Sequence, residues 1–277
     1  MTDLAASPLG HATTYSDRYD PALLFAVERG PLRAALGVAT PLPFHGEDLW
    51  TAYELSWLEP SGKPAVAIAT LRVPATSPCI VESKSMKLYL TAFNQTRFAS
   101  PAAVAATIRA DLAAASRAEV EVTLALPEAF AGLRLHEPDG TSLDDLPFAV
   151  ADVVADPVPS PDALVARGVR VDETLHTRLF RSVCPVTGQP DYATVVIRYQ
   201  GNALDRHGLL RYLVSYRLQP GFHEHCVEQV FMDLWRRCAP QSLQVYARFT
   251  RRGGIDINPY RSSTPLAPAV NARTAQQ

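Results

Sequence analysis

Apolar, aromatic and β-branched residues alternate with polar ones over short stretches in the first half of the chain. Every second residue from Leu49 to Trp57 belongs to the first class, which predicts a strand, and a turn rich in Pro and Gly leads to a second strand over 65–73. Apolar residues at helical spacing then predict two helices, over 84–97 and 102–115. The alternating run at 119–126 predicts a further strand.

The second half of the chain repeats this order of strands and helices. The same criteria predict two strands, two helices and two closing strands, over 174–183, 193–199, 205–217, 222–238, 243–250 and 255–260. The repeated order indicates an internal duplication. Antiparallel sheets with helices on one face follow from it, so the predicted fold class is α+β.

The predicted elements divide the chain into three segments. Residues 1–45, rich in Pro, Ser, Thr and Gly, are expected to form an irregular leader packed on the core. Residues 46–160 are expected to form an N-terminal half and residues 161–277 a C-terminal half. A Pro- and Asp-rich stretch over 127–162 separates the two.

Composition narrows the classes of function. The 277 residues are 47% hydrophobic and 19% charged, with a formal net charge of −2, which is ordinary for a globular protein. Because the Lys and Arg residues are spread along the chain, we expect no surface for long nucleic acid. The sequence shows neither a signal peptide at its start nor an apolar run of about 20 residues, the length that a membrane span requires. Four cysteines without close pairing fit free thiols, and we expect a cytoplasmic protein.

A cysteine and an aspartate flank a predicted turn in the segment FRSVCPVTGQPD. Cys184 ends a strand, and the Pro and Gly residues that follow turn the chain before Asp191, so that the thiol and the carboxyl can face one pocket. A cysteine nucleophile works as the thiolate, which neighbouring groups must stabilise. The alternative is a structural cysteine beside a solvated aspartate, since most free cysteines lie in cores.

Two further segments have features of an anion site. VESKSMKLY begins a helix with Glu82, Ser83 and Lys84 near its first turn, and backbone N–H groups at a helix start bind phosphates. Arg252 and Gly253 belong to the tight basic turn RRGG, which suits phosphate recognition. A capped surface helix and a solvent-exposed hairpin tip are the respective alternatives.

A dense group of His, Glu and Cys residues begins the helix predicted over 222–238. Metal ligands on one helix face lie three or four residues apart, as His223 and Cys226 do, but no CxxC or HxxxH spacing occurs. We therefore expect no metal, and a capping or ligand-binding role for His223 and Glu224.

Taken together, these segments resemble the 7-cyano-7-deazaguanine reductase family in its longer form with two halves. The E-S-K-S-x-K-x-Y block is very specific when it stands with a C-P-V-T-x-Q-P-D block in one chain. The resemblance covers most of the chain, through PLGHATTYSDRYDPALLF, GEDLWTAYELSWLEPSGKP, VESKSMKLYLTAFNQTRF, SVCPVTGQPDYATVVIRYQG, FHEHCVEQVFMDLW and RRGGIDINPYRS.

This resemblance implies a fold, an activity and a set of site residues. The fold is a tandem of tunnelling-fold halves, each an antiparallel sheet with two helices on one face, assembled as a homodimer. The activity is the NADPH-dependent, four-electron reduction of the nitrile 7-cyano-7-deazaguanine to its aminomethyl product, through a covalent thioimide, in the biosynthesis of the tRNA nucleoside queuosine. Matching positions give Cys184 as nucleophile, Asp191 as proton donor, Val81, Glu82, Ser83, His223 and Glu224 as substrate-binding residues, and Ser83, Lys84, Arg252 and Gly253 as NADPH-binding residues.

Three alternatives remain open at this point. A zinc-dependent cyclohydrolase of the same fold would contain metal, and the missing Cys and His spacing counts against it. A purine- or pterin-binding module would bind its ligand without turnover. A scaffolding subunit would leave the Cys184/Asp191 and Glu82/Glu224 pairs unexplained.

Overall fold

The structure is a computed structural model, and it describes residues 16–148, 158–265 and 268–277. Its described residues form two compact units. Unit 1 holds residues 16–35, 47–134 and 251–257, and unit 2 holds the remainder. The fold is α+β, as the sequence predicts.

The described residues contain ten strands and five α-helices. The strands are β1 (Ala26–Glu28), β2 (His45–Leu58), β3 (Pro64–Pro74), β4 (Cys79–Val81), β5 (Glu121–Ala125), β6 (Thr141–Ser142), β7 (Ala166–Val183), β8 (Pro190–Leu204), β9 (Ser242–Phe249) and β10 (Ile255–Ser262). The helices are α1 (Arg29–Ala35), α2 (Ser83–Thr91), α3 (Pro101–Ser116), α4 (Arg206–Val214) and α5 (His223–Cys238).

Unit 1 is built on an antiparallel sheet. β3 pairs with β5 on one side and with β2 on the other, and the first residues of β10 follow β2 in the strand order. β1 and β4 form a separate antiparallel pair. Alternate residues of β2 and β3 pack with the apolar faces of α2 and α3, so that the core of unit 1 includes Trp57, Tyr89, Phe93 and Ile108.

Unit 2 has a similar sheet. β9 lies between β8 and the later residues of β10, and β8 pairs with β7 in a long antiparallel hairpin. The two-residue strand β6 adds to β7 in parallel. Buried aromatic and aliphatic residues of this unit include Phe180, Leu213, Phe231 and Val245.

The two units carry the same pair of helices. In each unit a nine-residue helix precedes a sixteen-residue helix, and the longer one ends at a residue in the left-handed conformation. The seventh residue of the short helix is a tyrosine whose hydroxyl donates to the eleventh residue of the long helix, an aspartate. Tyr89 donates to Asp111 in unit 1 and Tyr212 to Asp233 in unit 2, each over 2.6 Å. We call these contacts the Tyr–Asp pairs.

The carboxylates at the starts of the two short helices also correspond. Glu82 caps α2, and its side chain accepts from two backbone N–H groups. Asp205 caps α4 and accepts from one. These repeated details support the internal duplication at the level of side chains.

Three sequence predictions on secondary structure are wrong. The helix predicted over 84–97 ends at Thr91, and Phe93 packs face to face on Phe98 beyond it. The helix predicted over 205–217 ends at Val214, where a short 3-10 helix begins. The leader is not wholly irregular, since it contains β1 and α1.

Helix α1 has no apolar stripe because the residues that it buries are arginines. Arg29 forms an ion pair with Asp48, and Arg33 donates to the carbonyl of Ala75 over 2.6 Å. A search for apolar periodicity therefore passes over this helix. Within the described parts of the chain, no helix combines the length and the apolar character needed to cross a membrane.

Candidate active site

Cys184 lies at the turn of the hairpin formed by β7 and β8. Its N–H donates to the carbonyl of Gln189 over 2.8 Å, and its own carbonyl accepts from the N–H of Gly188 over 3.0 Å. Gly188 has a φ of +68°, which a residue with a side chain rarely adopts. The thiol is 6% exposed, so the turn closes over it.

The chain before α5 holds the end of β7 in place. The N–H of Val183 donates to the carbonyl of Gln219, and the carbonyl of Val183 accepts from the N–H of Gly221, each over 3.1 Å. Because α5 begins two residues later, at His223, the nucleophile candidate and the start of this helix are fixed to the same stretch of backbone.

Asp191 is the second residue of β8, and it is paired with Ser182 across β7 and β8. Ser182 precedes Cys184 by two residues, so the carboxyl and the thiol are attached to neighbouring stretches of the same hairpin. The side chain of Asp191 is 9% exposed, and its Oδ2 lies 3.6 Å from Nε2 of His223.

The imidazole of His223 is held flat against Phe249. The two ring centroids are 3.6 Å apart and the ring planes differ by 5°. Phe249 is fully buried at the end of β9, where it also meets Phe180 edge to face. Phe249 is not predicted as a site residue from the sequence, because a contact between residues 26 positions apart leaves no mark in local spacing.

Glu224 and Cys226 lie in the first turn of α5 and are both buried. Burial raises the pKa of the Cys226 thiol to about 12, and the negative charges of Asp191 and Glu224 act in the same direction. Cys226 is therefore a neutral thiol at physiological pH and a poor nucleophile. Burial also lowers the pKa of His225, which favours its neutral form.

In unit 1, Glu82 caps the start of α2. Its two carboxylate oxygens accept from the N–H groups of Lys84 and Ser85 over 2.7 and 2.8 Å, and the residue is 1% exposed. Its own N–H donates to the carbonyl of Phe25, whose N–H in turn donates to Oγ of Ser85. The contacts of Phe25 and Ser85 are not predicted from the sequence.

The residues on either side of Glu82 are also candidates for binding the substrate. Val81, 5% exposed, ends β4 opposite Ala26. Ser83 is the first residue of α2, and its hydroxyl lies 3.4 Å from Oε1 of Glu82. Three of the substrate-binding candidates are thereby consecutive at one helix start.

The basic turn and the start of α2 meet within unit 1. A Cβ atom placed on Gly253 would lie 3.1 Å from Cδ and Cε of Lys87, and Lys87 follows Lys84 by three residues on α2. Arg252 donates its N–H to the carbonyl of Ile255 over 2.9 Å. Gly253 and Gly254 have φ values of +62° and +77°, so the turn requires glycine at both positions.

The donors around this turn fit a phosphorylated cofactor. Lys84, Lys87 and Arg252 supply cations, which suit phosphate groups, whereas the N–H groups of Lys84 and Ser85 in the first turn of α2 already donate to Glu82. Arg251, by contrast, lies over the ring of Tyr53, 4.9 Å from its centroid. Across the described ranges, no three His, Cys, Asp or Glu residues group closely enough to hold a metal ion.

Two family models match the chain. Residues 15–124 match the model described as nitrile reductase, 7-cyano-7-deazaguanine-reductase N-term, and residues 190–267 match the model described as QueF-like protein. The first match contains Glu82 to Lys84, and the second contains Asp191, His223, Glu224, Arg252 and Gly253.

Full-length relatives lead to the same family. The NADPH-dependent 7-cyano-7-deazaguanine reductase of Desulfotalea psychrophila is 50% identical, over 99% of this chain and 98% of the relative. The reductase of the same name from Verminephrobacter eiseniae is 52% identical over 100% of both chains. The chain belongs to the 7-cyano-7-deazaguanine reductase family.

Proposed function

We propose that this protein reduces the nitrile 7-cyano-7-deazaguanine to 7-aminomethyl-7-deazaguanine at the expense of NADPH. Relatives with about 50% identity over the whole chain are NADPH-dependent 7-cyano-7-deazaguanine reductases, which supports this activity and not that of a cyclohydrolase of the same fold. The observation that carries the mechanism is the position of Cys184 at the turn of the β7–β8 hairpin, close along the backbone to Asp191 and to the start of α5.

Cys184 is the proposed nucleophile. Its thiolate attacks the electrophilic carbon of the nitrile, a carbon–sulfur bond forms, and one π bond of the triple bond breaks so that its electron pair moves to nitrogen. A proton must reach that nitrogen to complete the thioimide. Burial raises the pKa of the nearby Cys226 to about 12, so that thiol is a poor nucleophile.

Asp191 is the proposed proton donor. Its carboxyl is nearly buried, lies 3.6 Å from Nε2 of His223, and belongs to the hairpin that carries the thiol at its turn. A donor in this position supplies the proton as negative charge develops on nitrogen, which typically contributes a factor of about 10²–10⁴ to the rate. Enclosure of this site would also protect the later imine from hydrolysis.

Glu82 and Glu224 are the proposed ligands of the base, with Val81, Ser83 and His223 around it. A carboxylate accepts two N–H groups from the guanine-like edge of a deazapurine, which selects for that edge. Backbone N–H groups already occupy one acceptor position on each oxygen of Glu82. The Ser83 hydroxyl also donates to Oε1 over 3.4 Å, so about one of the four acceptor positions stays available, and a second N–H of the base would replace that hydroxyl.

Ser83, Lys84, Arg252 and Gly253 are the proposed NADPH-binding residues. When bound, two molecules of NADPH in succession supply the two hydrides that a four-electron reduction needs. The cations of Lys84 and Arg252 would hold the phosphates, and the positive φ of Gly253 lets the turn approach α2 without a side chain in the way.

The tunnelling-fold arrangement, the cellular location and the oligomeric state are part of the same proposal. The repeated helix pairs and antiparallel sheets support tandem tunnelling-fold halves, and we infer a cytoplasmic homodimer that acts on a free base in the queuosine pathway. A net charge of −2 supports a small-molecule substrate and not a nucleic acid.

Intact-protein mass spectrometry with the nitrile and without NADPH tests the covalent step. Addition of a thiol across a nitrile loses no atoms, so the wild type should gain the full mass of the substrate. Cys184→Ala should gain nothing, whereas Cys238→Ala, which removes another buried thiol at the far end of α5, should react like the wild type. A wild type that binds the base without any gain in mass would refute the covalent mechanism.

A further inference from the structure

The side chain of Gln277 is buried in unit 2, where it forms four hydrogen bonds. Its Oε1 accepts from Nε of Arg248 over 2.8 Å and from the N–H of Thr274 over 3.1 Å. Its Nε2 donates to the carbonyl of Phe249 over 3.0 Å and to Oδ1 of Asn258 over 2.9 Å. The residue is 6% exposed, so each of these contacts is shielded from water.

These contacts fix the backbone of Phe249 from both sides. Oδ1 of Asn258 accepts from the N–H of Phe249 over 3.0 Å, while Nε2 of Gln277 donates to its carbonyl. Gln277 and Asn258 also bond to each other, so the two amides form one clamp around a single residue at the end of β9. A clamp of this kind restricts small displacements of the Phe249 ring.

The ring of Phe249 is the surface against which His223 rests. At a centroid distance of 3.6 Å and an interplanar angle of 5°, the imidazole can turn in its own plane but cannot tilt without losing the stack. The same imidazole brings its Nε2 to 3.6 Å from Oδ2 of Asp191. An unbroken series of contacts thus runs from Gln277 through Phe249 and His223 to Asp191.

We propose that Gln277 is a positioning residue for the proton-donor site, acting on Asp191 through Phe249 and His223. The inference rests on the proposed function, because it gives Asp191 its role there. Gln277 touches neither the thiol nor the base in this scheme; it sets the plane of the imidazole against which the carboxyl is oriented. Displacement of a catalytic group by about 1 Å can cost roughly 10²-fold in rate.

The test uses three variants of the full chain. Gln277→Ala removes the clamp. Gln277→Glu keeps the shape and the acceptor for Arg248 but lacks the donor to the carbonyl of Phe249. Gln276→Ala is the matched control, since the side chain of Gln276 bonds to Oγ1 of Thr194 over 3.2 Å and not to Phe249.

The first measurement is the rate of thioimide formation without NADPH, together with affinity for the base in a Cys184→Ala background. Gln277→Ala and Gln277→Glu should slow adduct formation by about tenfold or more, a larger factor than their effect on base affinity, because His223 borders the base whereas Glu82 and Glu224 are its proposed ligands. Gln276→Ala should stay close to the wild-type rate. A normal rate in Gln277→Ala, or an equal loss in Gln276→Ala, overturns the inference.

The second measurement is independent of activity. In nuclear magnetic resonance spectra, the ring protons of His223 lie above the face of Phe249 and are shielded by it, so loosening the stack should shift them downfield in Gln277→Ala and not in Gln276→Ala. If the wild type forms no adduct, the proposed covalent function fails, and these shifts still decide whether Gln277 positions His223. Unchanged shifts reject the inference even when the reductase activity is present.

Discussion

Single residues show how far local sequence can identify a site. Cys184 is distinguished from the other cysteines by its surrounding motif, whereas burial and nearby carboxylates raise the pKa of Cys226. Glu82 was predicted near the first turn of a helix and is its cap. Phe249 and Gln277 could not be predicted, because their importance lies in contacts with residues distant along the chain.

Arg252 should contribute to NADPH affinity more than its neighbour Arg251. Removing one charge-assisted contact to phosphate costs about 1.5–3 kcal/mol, so Arg252→Ala should raise the KM for NADPH roughly tenfold or more, with little effect on the KM for the base. Arg251→Ala is the matched control, since Arg251 lies over Tyr53. Steady-state kinetics with each substrate varied in turn decide the matter, and equal NADPH KM values in the wild type and Arg252→Ala would exclude the residue from the cofactor site.

Secondary-structure elements follow the sequence pattern wherever one face is apolar. The alternation over β2, β3 and β9 and the helical spacing of α3 and α5 lead to the observed elements within a few residues. Elements that bury polar groups are not predicted in this way. Helix α1 buries two arginines, and their partners Asp48 and Ala75 lie outside this helix. Periodicity records burial of apolar area and carries no information on such contacts.

The two Tyr–Asp pairs should differ in their contribution to stability. Asp111 keeps a second donor, Tyr19, at 2.7 Å. Asp233 accepts from Tyr212 and has the positive charge of Arg236 nearby, and the Tyr212 hydroxyl also lies 2.8 Å from that of the buried Tyr216. Tyr89→Phe should therefore lower the free energy of unfolding by about 1 kcal/mol, and Tyr212→Phe by about 2–3 kcal/mol, because a half-buried carboxyl loses its donor. Urea denaturation measures both.

Tyr192→Phe provides the control for loss of a hydroxyl, since Tyr192 is 49% exposed and its change should stay within about 0.5 kcal/mol of the wild type. If Tyr89→Phe and Tyr212→Phe lowered the free energy of unfolding equally, the second donor to Asp111 would contribute nothing measurable to stability.

The arrangement of distant parts of the chain is the feature that the sequence predicts least well. The α+β class is confirmed, while the three-segment division and the tunnelling-fold arrangement stay predictions. Residues 251–257 show the reason: they lie late in the chain, yet by their contacts they belong to unit 1, because Tyr53 donates its N–H to the carbonyl of Gly254 over 2.8 Å. Pairing between distant strands is decided by tertiary packing, and no local period encodes it.

Assembly is the prediction that belongs to this scale. In the strand order of the described residues, β5 stands at one end, and an edge strand offers unpaired N–H and carbonyl groups to a further strand. A homodimer is the simplest closed assembly that covers such an edge. Light scattering coupled to size-exclusion chromatography should give about twice the chain mass of 30.2 kDa; a value equal to that of one chain across the concentration range would contradict the dimer.

The repeated helix pair also has an evolutionary consequence. After a duplication, each copy is free to change as long as the other keeps the ancestral role. At the start of the short helix, unit 2 has an exposed aspartate, a common helix cap, whereas unit 1 has a buried glutamate with a longer reach. Two equivalent positions of the repeat thus differ in side-chain length and in burial, the kind of difference expected when one copy is released from a constraint that the other keeps.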